Sequence, residues 1–75
     1  MEDLVEFIAK SLVDDPTQVN VMEYTQRRNV RITLSVADED MGRVIGRKGR
    51  VANAMRTLLR VAASRRGNRV SLDIL

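Results

Sequence analysis

Residues Val44-Ile45-Gly46-Arg47-Lys48-Gly49-Arg50 form the stretch of this chain whose types and spacing are most suggestive of chemistry. Gly46 and Gly49 bracket Arg47 and Lys48. Glycine has no Cβ, so another backbone can approach its main chain closely. The two cations would hold an anionic polymer at that point of approach. The chemistry is contact with a phosphate backbone, not bond making. Other phosphate loops do not fit. A Walker loop needs Gly, four residues, Gly-Lys and then Ser or Thr. Here Gly42 and Gly46 enclose three residues, and Lys48 is followed by Gly49. The Gly-x-Gly-x-x-Gly fingerprint fails because Val44 stands where its first glycine would be. A plain turn between helices would need at most one glycine, and Arg-Lys between two has no packing purpose. Gly42 reads instead as a residue that lets helices pack closely.

Composition narrows the classes further. The chain has 75 residues, one domain's worth, with 44% apolar content and therefore a thin core. It has no His and no Cys, so neither a His relay nor a soft-metal site can be built. The acids lie mostly in the first helix and in loops, with no pair standing out. No cofactor or metal is expected, and an enzyme reading trails well behind. The acidic start and the lack of any run near about 18 apolar residues point to a soluble, cytoplasmic chain with no membrane partner. Charge is uneven. Residues 1–40 carry four basic against nine acidic residues, and residues 41–75 carry nine basic against Asp73 alone, within a net charge of +3. A basic second half suits a polyanion; a solvated Arg-rich surface would give the same count.

Periodicity supplies the elements that must position the glycine pair. A helix is expected over Glu2–Val13, with Leu4, Ile8, Ser11 and Leu12 on one face. Asp14-Asp15-Pro16 stops it. Val19–Thr25 reads as a strand with Val19 and Val21 inward. A polar turn, Gln26-Arg27-Arg28-Asn29, leads to the cleanest strand, Val30–Val36, with Val30, Ile32, Leu34 and Val36 on one face. Asp38-Glu39-Asp40 offers N-cap chemistry for a short helix to about Ile45. The longest helix then runs from Arg50 to about Arg66. Its expected core face is Val51, Met55, Leu58, Leu59 and Ala62, with Asn53, Arg56, Thr57 and Arg60 opposite. Gly67 stops it. Arg69–Leu75 is the last strand. The order α-β-β-α-α-β predicts an α+β fold, a three-stranded mixed sheet packed on three helices. The helical crossover makes the second and third strands parallel, with the second strand central.

Three uses of such a scaffold compete. A nucleic-acid binder with a backbone clamp leads. A helix-turn-helix DNA reader, with Arg50, Arg56 and Arg60 toward the major groove, is second; strands on both sides of the helical pair count against it. A protein-interaction adaptor without nucleic acid is third. Stacking on aromatics is nearly excluded, because the only aromatics, Phe7 and Tyr24, lie outside the basic half.

Gly42-Arg43-Val44-Ile45-Gly46-Arg47-Lys48-Gly49-Arg50, with this element order and length, resembles a KH domain of the second topological type. The likeness is to the single-domain bacterial KH proteins of the KhpA family and covers residues 1–75. A Gly-x-x-Gly clamp in such a module holds about four nucleotides. The resemblance implies a cytoplasmic protein that binds single-stranded RNA, as an RNA chaperone or post-transcriptional regulator. It also implies a homodimer, or a heterodimer with a larger KH-containing protein of the Jag type. Carried over by position, Gly46, Arg47, Lys48 and Gly49 are the clamp. Val44 and Ile45 form one groove wall, Val51 and Ala54 the floor, and the second strand lies opposite. Arg43 and Arg50 extend the cationic track. One departure is Ala52, where many KH motifs carry a large apolar residue, so a shallower groove is expected. A dimer contact is expected along Ala54, Thr57, Leu58 and Val61, because Val61 lies about 100° from the core centre of the wheel.

Overall fold

The alternation Val30-Ile32-Leu34 is where the core begins. In the computed structural model, which describes residues 1–75, these residues lie on β2 (Asn29–Ser35) and are buried, Ile32 and Leu34 completely. β1 (Asn20–Gln26) pairs with β2 antiparallel through the two-residue turn Arg27-Arg28. β3 (Arg69–Ile74) pairs with β2 in parallel. The order β1-β2-β3 makes β2 central and the sheet mixed, as the crossover requires. Three helices cover the apolar face: α1 (Glu2–Leu12), α2 (Met41–Ile45) and α3 (Arg50–Arg65). Val5 and Ala9 of α1, Val44 of α2, and Met55 and Leu59 of α3 join Val30, Ile32, Leu34 and Leu72 in one cluster. This is the type II KH arrangement expected above. No helix is long and apolar enough to cross a membrane.

Both long helices sit on the sheet differently from their expected wheels. α1 turns Val5 and Ala9 into the core, leaving Leu4 and Leu12 at its margins and Phe7 exposed. α3 buries Ala52, Met55, Leu59 and Ala63, whereas Leu58 is half exposed and Val51 and Ala62 lie at the flank. The cause is shared. Each helix buries one stripe at helical spacing, small and large residues alike: Val5 and Ala9 on α1, and Ala52, Met55, Leu59 and Ala63 on α3. Arg56, expected on the polar face, is partly buried: its Nε and Nη2 donate to the Leu72 carbonyl of edge strand β3 at 3.2 Å. That contact occupies an acceptor on a sheet edge otherwise open to pairing.

The acids before α2 also depart from expectation. Asp38–Asp40 form a 3₁₀ turn, and none of their side chains caps α2. The Asp40 carboxylate is buried and accepts from the backbone N–H groups of Asp14 (3.0 Å) and Asp15 (3.1 Å). Arg43 Nε lies 3.6 Å from it. Asp40 thus fastens the end of α1 to the start of α2. Asp40→Ala would strand two amide donors beside a cation, a loss of about 3 kcal/mol of stability, readable by denaturant unfolding. Asp40→Asn keeps one acceptor and should lose less. Next to it, hydrogen bonds from the Thr17 and Gln18 side chains hold the Asp15 carboxyl below its ordinary range. The ionised form is the one held, so this turn is intact at neutral pH and loosens as pH falls through the lowered value.

Candidate functional site

α2 ends because Gly46 leaves helical space. Its φ of 77° and ψ of 169° lie in a region open essentially to glycine alone. A Cβ there would stand 2.5 Å from Val51 Cγ2 and 2.8 Å from the Val51 backbone nitrogen. The next turn, Arg47–Gly49, is 3₁₀, with Lys48 at φ 57° and Gly49 at φ 75°, both left-handed. The Gly49 N–H donates to the Gly46 carbonyl at 3.0 Å and closes the loop. Gly49 has room: a Cβ would meet only Asn53 Nδ2, at 3.7 Å. The two glycines thus differ. Gly46 is required by contact and conformation, Gly49 by conformation alone.

The loop presents charge without counter-charge. Arg47, Lys48 and Arg50 are exposed, and none is in an ion pair. α3 begins at Gly49 with no side-chain cap, and the Gly49 and Arg50 N–H groups are spent on the Gly46 and Arg47 carbonyls within the turn. The positive end of the helix beside those cations favours an anion. Arg43 is different: its Nη2 donates to Asp14 Oδ2 at 3.1 Å, and its Nε faces Asp40, so it is engaged within the fold.

The other expected site residues divide by burial. Ile45 and Val51 are half-buried next to the loop, and Ala54 is exposed. Val44 is fully buried, because it is the residue that the five-residue α2 turns to the sheet; it cannot line an open groove. Ala52 also faces the core at 3% exposure, so its size does not set the depth of a surface groove. β2 cannot be the opposite wall either, since it is central and paired on both sides. The strand beside α3 is β3, and Arg56, Leu59, Arg60, Val70, Ser71 and Leu72 line a recess of about 220 Å³ between them. Arg56 Nη1 donates to Asn53 Oδ1 at 3.2 Å, which ties this recess to the residue next to Gly49. Asn53, Arg56 and Arg60, expected opposite the core face of α3, share the side of the helix that borders this recess. Gly42, expected to permit close packing, is exposed with nothing within 4 Å of a would-be Cβ.

The remaining exposed apolar residues of α3 form a stripe. Ala54, Leu58 and Val61 lie at i, i+4 and i+7, Leu58 and Val61 each 51% exposed. Thr57 donates its hydroxyl to the Asn53 carbonyl at 3.0 Å, so the hydroxyl is satisfied within the helix.

The chain matches the family model described as KhpA/KhpB, KH domain, over residues 2–74. It is 48% identical over 75 residues to a Clostridium acetobutylicum protein named RNA-binding protein KhpA, covering all of both chains. A protein of the same name from Caldanaerobacter subterraneus is also 48% identical over the full length of both. One from Aquifex aeolicus is 43% identical, over all of this chain and 95% of that one. No solved structure matches the chain.

Proposed function

The chain belongs to the KhpA/KhpB KH-domain family, and from that premise we propose that it binds single-stranded RNA at the Gly46–Gly49 loop. The observation that carries this reading is the loop itself. A glycine-only turn brings bare backbone to the surface beside three unpaired cations and an uncapped helix start. Arg47 and Lys48 attract phosphates, Arg50 extends the track, and the positive end of α3 favours an anion beside them. Ile45 and Val51 offer aliphatic contact, and Arg56 and Arg60 line the way along β3. With few base-edge donors and no aromatic at the loop, phosphate contact dominates. The module would then act broadly, as an RNA chaperone or post-transcriptional regulator in the cytoplasm. The residues involved hold and position a strand; none of them supplies acid, base or nucleophile. The test is a salt titration of binding to single-stranded RNA beside duplex DNA. RNA should bind more tightly, with log affinity falling by about 0.7 per phosphate engaged for each decade of salt. Tighter duplex DNA binding would revive the helix-turn-helix reading, which the underlying sheet disfavours.

A second part of the proposal concerns assembly. The stripe Ala54, Thr57, Leu58 and Val61 faces directly away from the core, where solvent has no use for it. One clamp holds few nucleotides and binds weakly; joining two across this stripe raises avidity. The pairing is with a second copy or with a larger KH-containing protein of the Jag type. Val61→Asp places a charge in that contact without touching the core. It should weaken self-association by roughly 2 kcal/mol, about thirtyfold in dissociation constant. Sedimentation at several concentrations reads it, and an unchanged profile removes this face from consideration.

A further inference from the structure

Counted along the chain, positive charge belongs to the second half; in space it gathers at two poles. Parallel pairing puts the start of β3 beside the start of β2, so Arg69 stands opposite Asn29 and its N–H donates to the Arg28 carbonyl at 2.7 Å. The hairpin arginines Arg27 and Arg28 therefore meet Arg69 and the end of α3. α3 has 16 residues, so this pole lies about 24 Å from the Gly46–Gly49 loop. Arg27, Arg28, Arg31, Arg66 and Arg69 are exposed, and none is in an ion pair. The one carboxylate on the outer face of the sheet, Asp73, pairs in register with Thr33, two positions farther from the hairpin than Ser71.

The surface between the poles is continuous. The recess between α3 and β3 includes Val70 and Ser71. Those two residues also border a recess of about 430 Å³ on the outer side, with Tyr24, Gln26, Arg31 and Arg69. Arg69 and Asn29 in turn border a third, of about 420 Å³, formed with Arg27, Arg28 and Gly67. Tyr24 is 65% exposed and stands opposite Arg31 on the outer face. An aromatic that sequence places outside the basic half thus has a cationic neighbour. Arg27 also occupies φ 56°, a left-handed position where Asn or Gly is the easier choice for a hairpin.

We infer that a single-stranded RNA held at the Gly46–Gly49 loop continues along the α3–β3 recess, over the β3 edge, and onto the hairpin pole. There Arg27, Arg28, Arg31 and Arg69 take its phosphates and Tyr24 stacks on a base. The inference rests on the clamp reading for the strand's entry, and adds a second contact region that a short ligand cannot reach. Arginine suits the task because its planar fork bonds phosphate oxygens in pairs. The neighbouring Gln26, Asn29 and Ser71 are short polar groups that bond sugar and base edges without sequence demand.

The test compares two RNA lengths. An oligonucleotide of about four nucleotides fills the clamp alone. One of about 20 nucleotides, at about 3.4 Å per phosphate even when stacked, outreaches the 35 Å long axis of the protein. Arg27→Asn with Arg28→Ser removes two charges and keeps the turn, since Asn tolerates left-handed φ. That variant should keep its affinity for the short strand. Its affinity for the long strand should fall at least tenfold, with the salt slope shallower by about 1.4. Tyr24→Ala should lower long-strand affinity roughly fivefold or more with the slope unchanged, because stacking releases no counterions. Sedimentation should be unchanged in both, which separates the effect from lost dimer avidity. Equal long-strand affinity in the hairpin variant overturns the inference; equal losses on both strands do so too. Clamp variants that keep short-strand affinity would instead overturn the clamp reading.

Discussion

Reversing the clamp charges, Arg47→Asp with Lys48→Asp, should lower affinity for single-stranded RNA about a hundredfold. A charge-assisted contact to phosphate is worth at least about 1.5 kcal/mol, and the loss of two gives about 3 kcal/mol, or two decades. Repulsion by the new carboxylates adds to this at low salt and fades as salt screens it. The dependence of log affinity on log salt should flatten by about 1.4, two phosphates at about 0.7 each. The fold should not suffer. Both side chains are exposed and unpaired. Lys48 sits at φ 57°, where Asp is more at ease than Lys. Circular dichroism establishes that the variant is folded, and the salt titration reads the rest. A folded variant that binds RNA as tightly as the parent would end the assignment of this loop.

The second large effect is on stability, and it separates the two glycines. Gly46→Ala should destabilise the protein by about 3 kcal/mol. The backbone region it occupies costs a non-glycine residue about 1–3 kcal/mol, and the new methyl would stand 2.5 Å from Val51 Cγ2 and 2.8 Å from the Val51 nitrogen. Backbone cannot step aside as a side chain end can, so the loop or the start of α3 must shift. Gly49→Ala meets nothing nearer than 3.7 Å and bears only the left-handed penalty, about 1–2 kcal/mol. Paired denaturant unfolding curves read the difference. Equal losses would mean that the Gly46 conformation is not held by Val51.

The sheet was legible because its signal is local. Val30, Ile32 and Leu34 alternate cleanly, and all three are buried; the helical crossover then dictated parallel pairing and a central β2. The glycine pair was legible because no competing phosphate loop matches its spacing. Helix rotation was not. A hydrophobic wheel weights bulk and so favoured Leu4, Leu12 and Leu58, but the buried stripes also take small residues, Ala9 on α1 and Ala52 and Ala63 on α3. Val44 and Ala52 were tied to the groove by position in the resemblance, and both face the core instead. The charge count along the chain is correct but leaves out spatial neighbours. Counting arginines by position along the chain hides that Arg28 and Arg69 are backbone neighbours, although parallel strands starting side by side imply it. Asp40 was unreadable in principle. Its partners are amides of Asp14 and Asp15, 26 and 25 residues away, and a capping role was the more local alternative.

Every β2–β3 pair joins residues forty positions apart, from Asn29 with Arg69 to Leu34 with Ile74. The β1–β2 hairpin can form early from near neighbours, but the parallel half must wait until the intervening chain has closed on itself, a slow step for entropic reasons. Gly46–Gly49 lies inside that closing segment. A partly folded chain can have its hairpin before the helices flanking this loop are packed on the sheet. A strand bound at the loop should hold that segment shut, and so should slow global unfolding rather than merely quiet one loop.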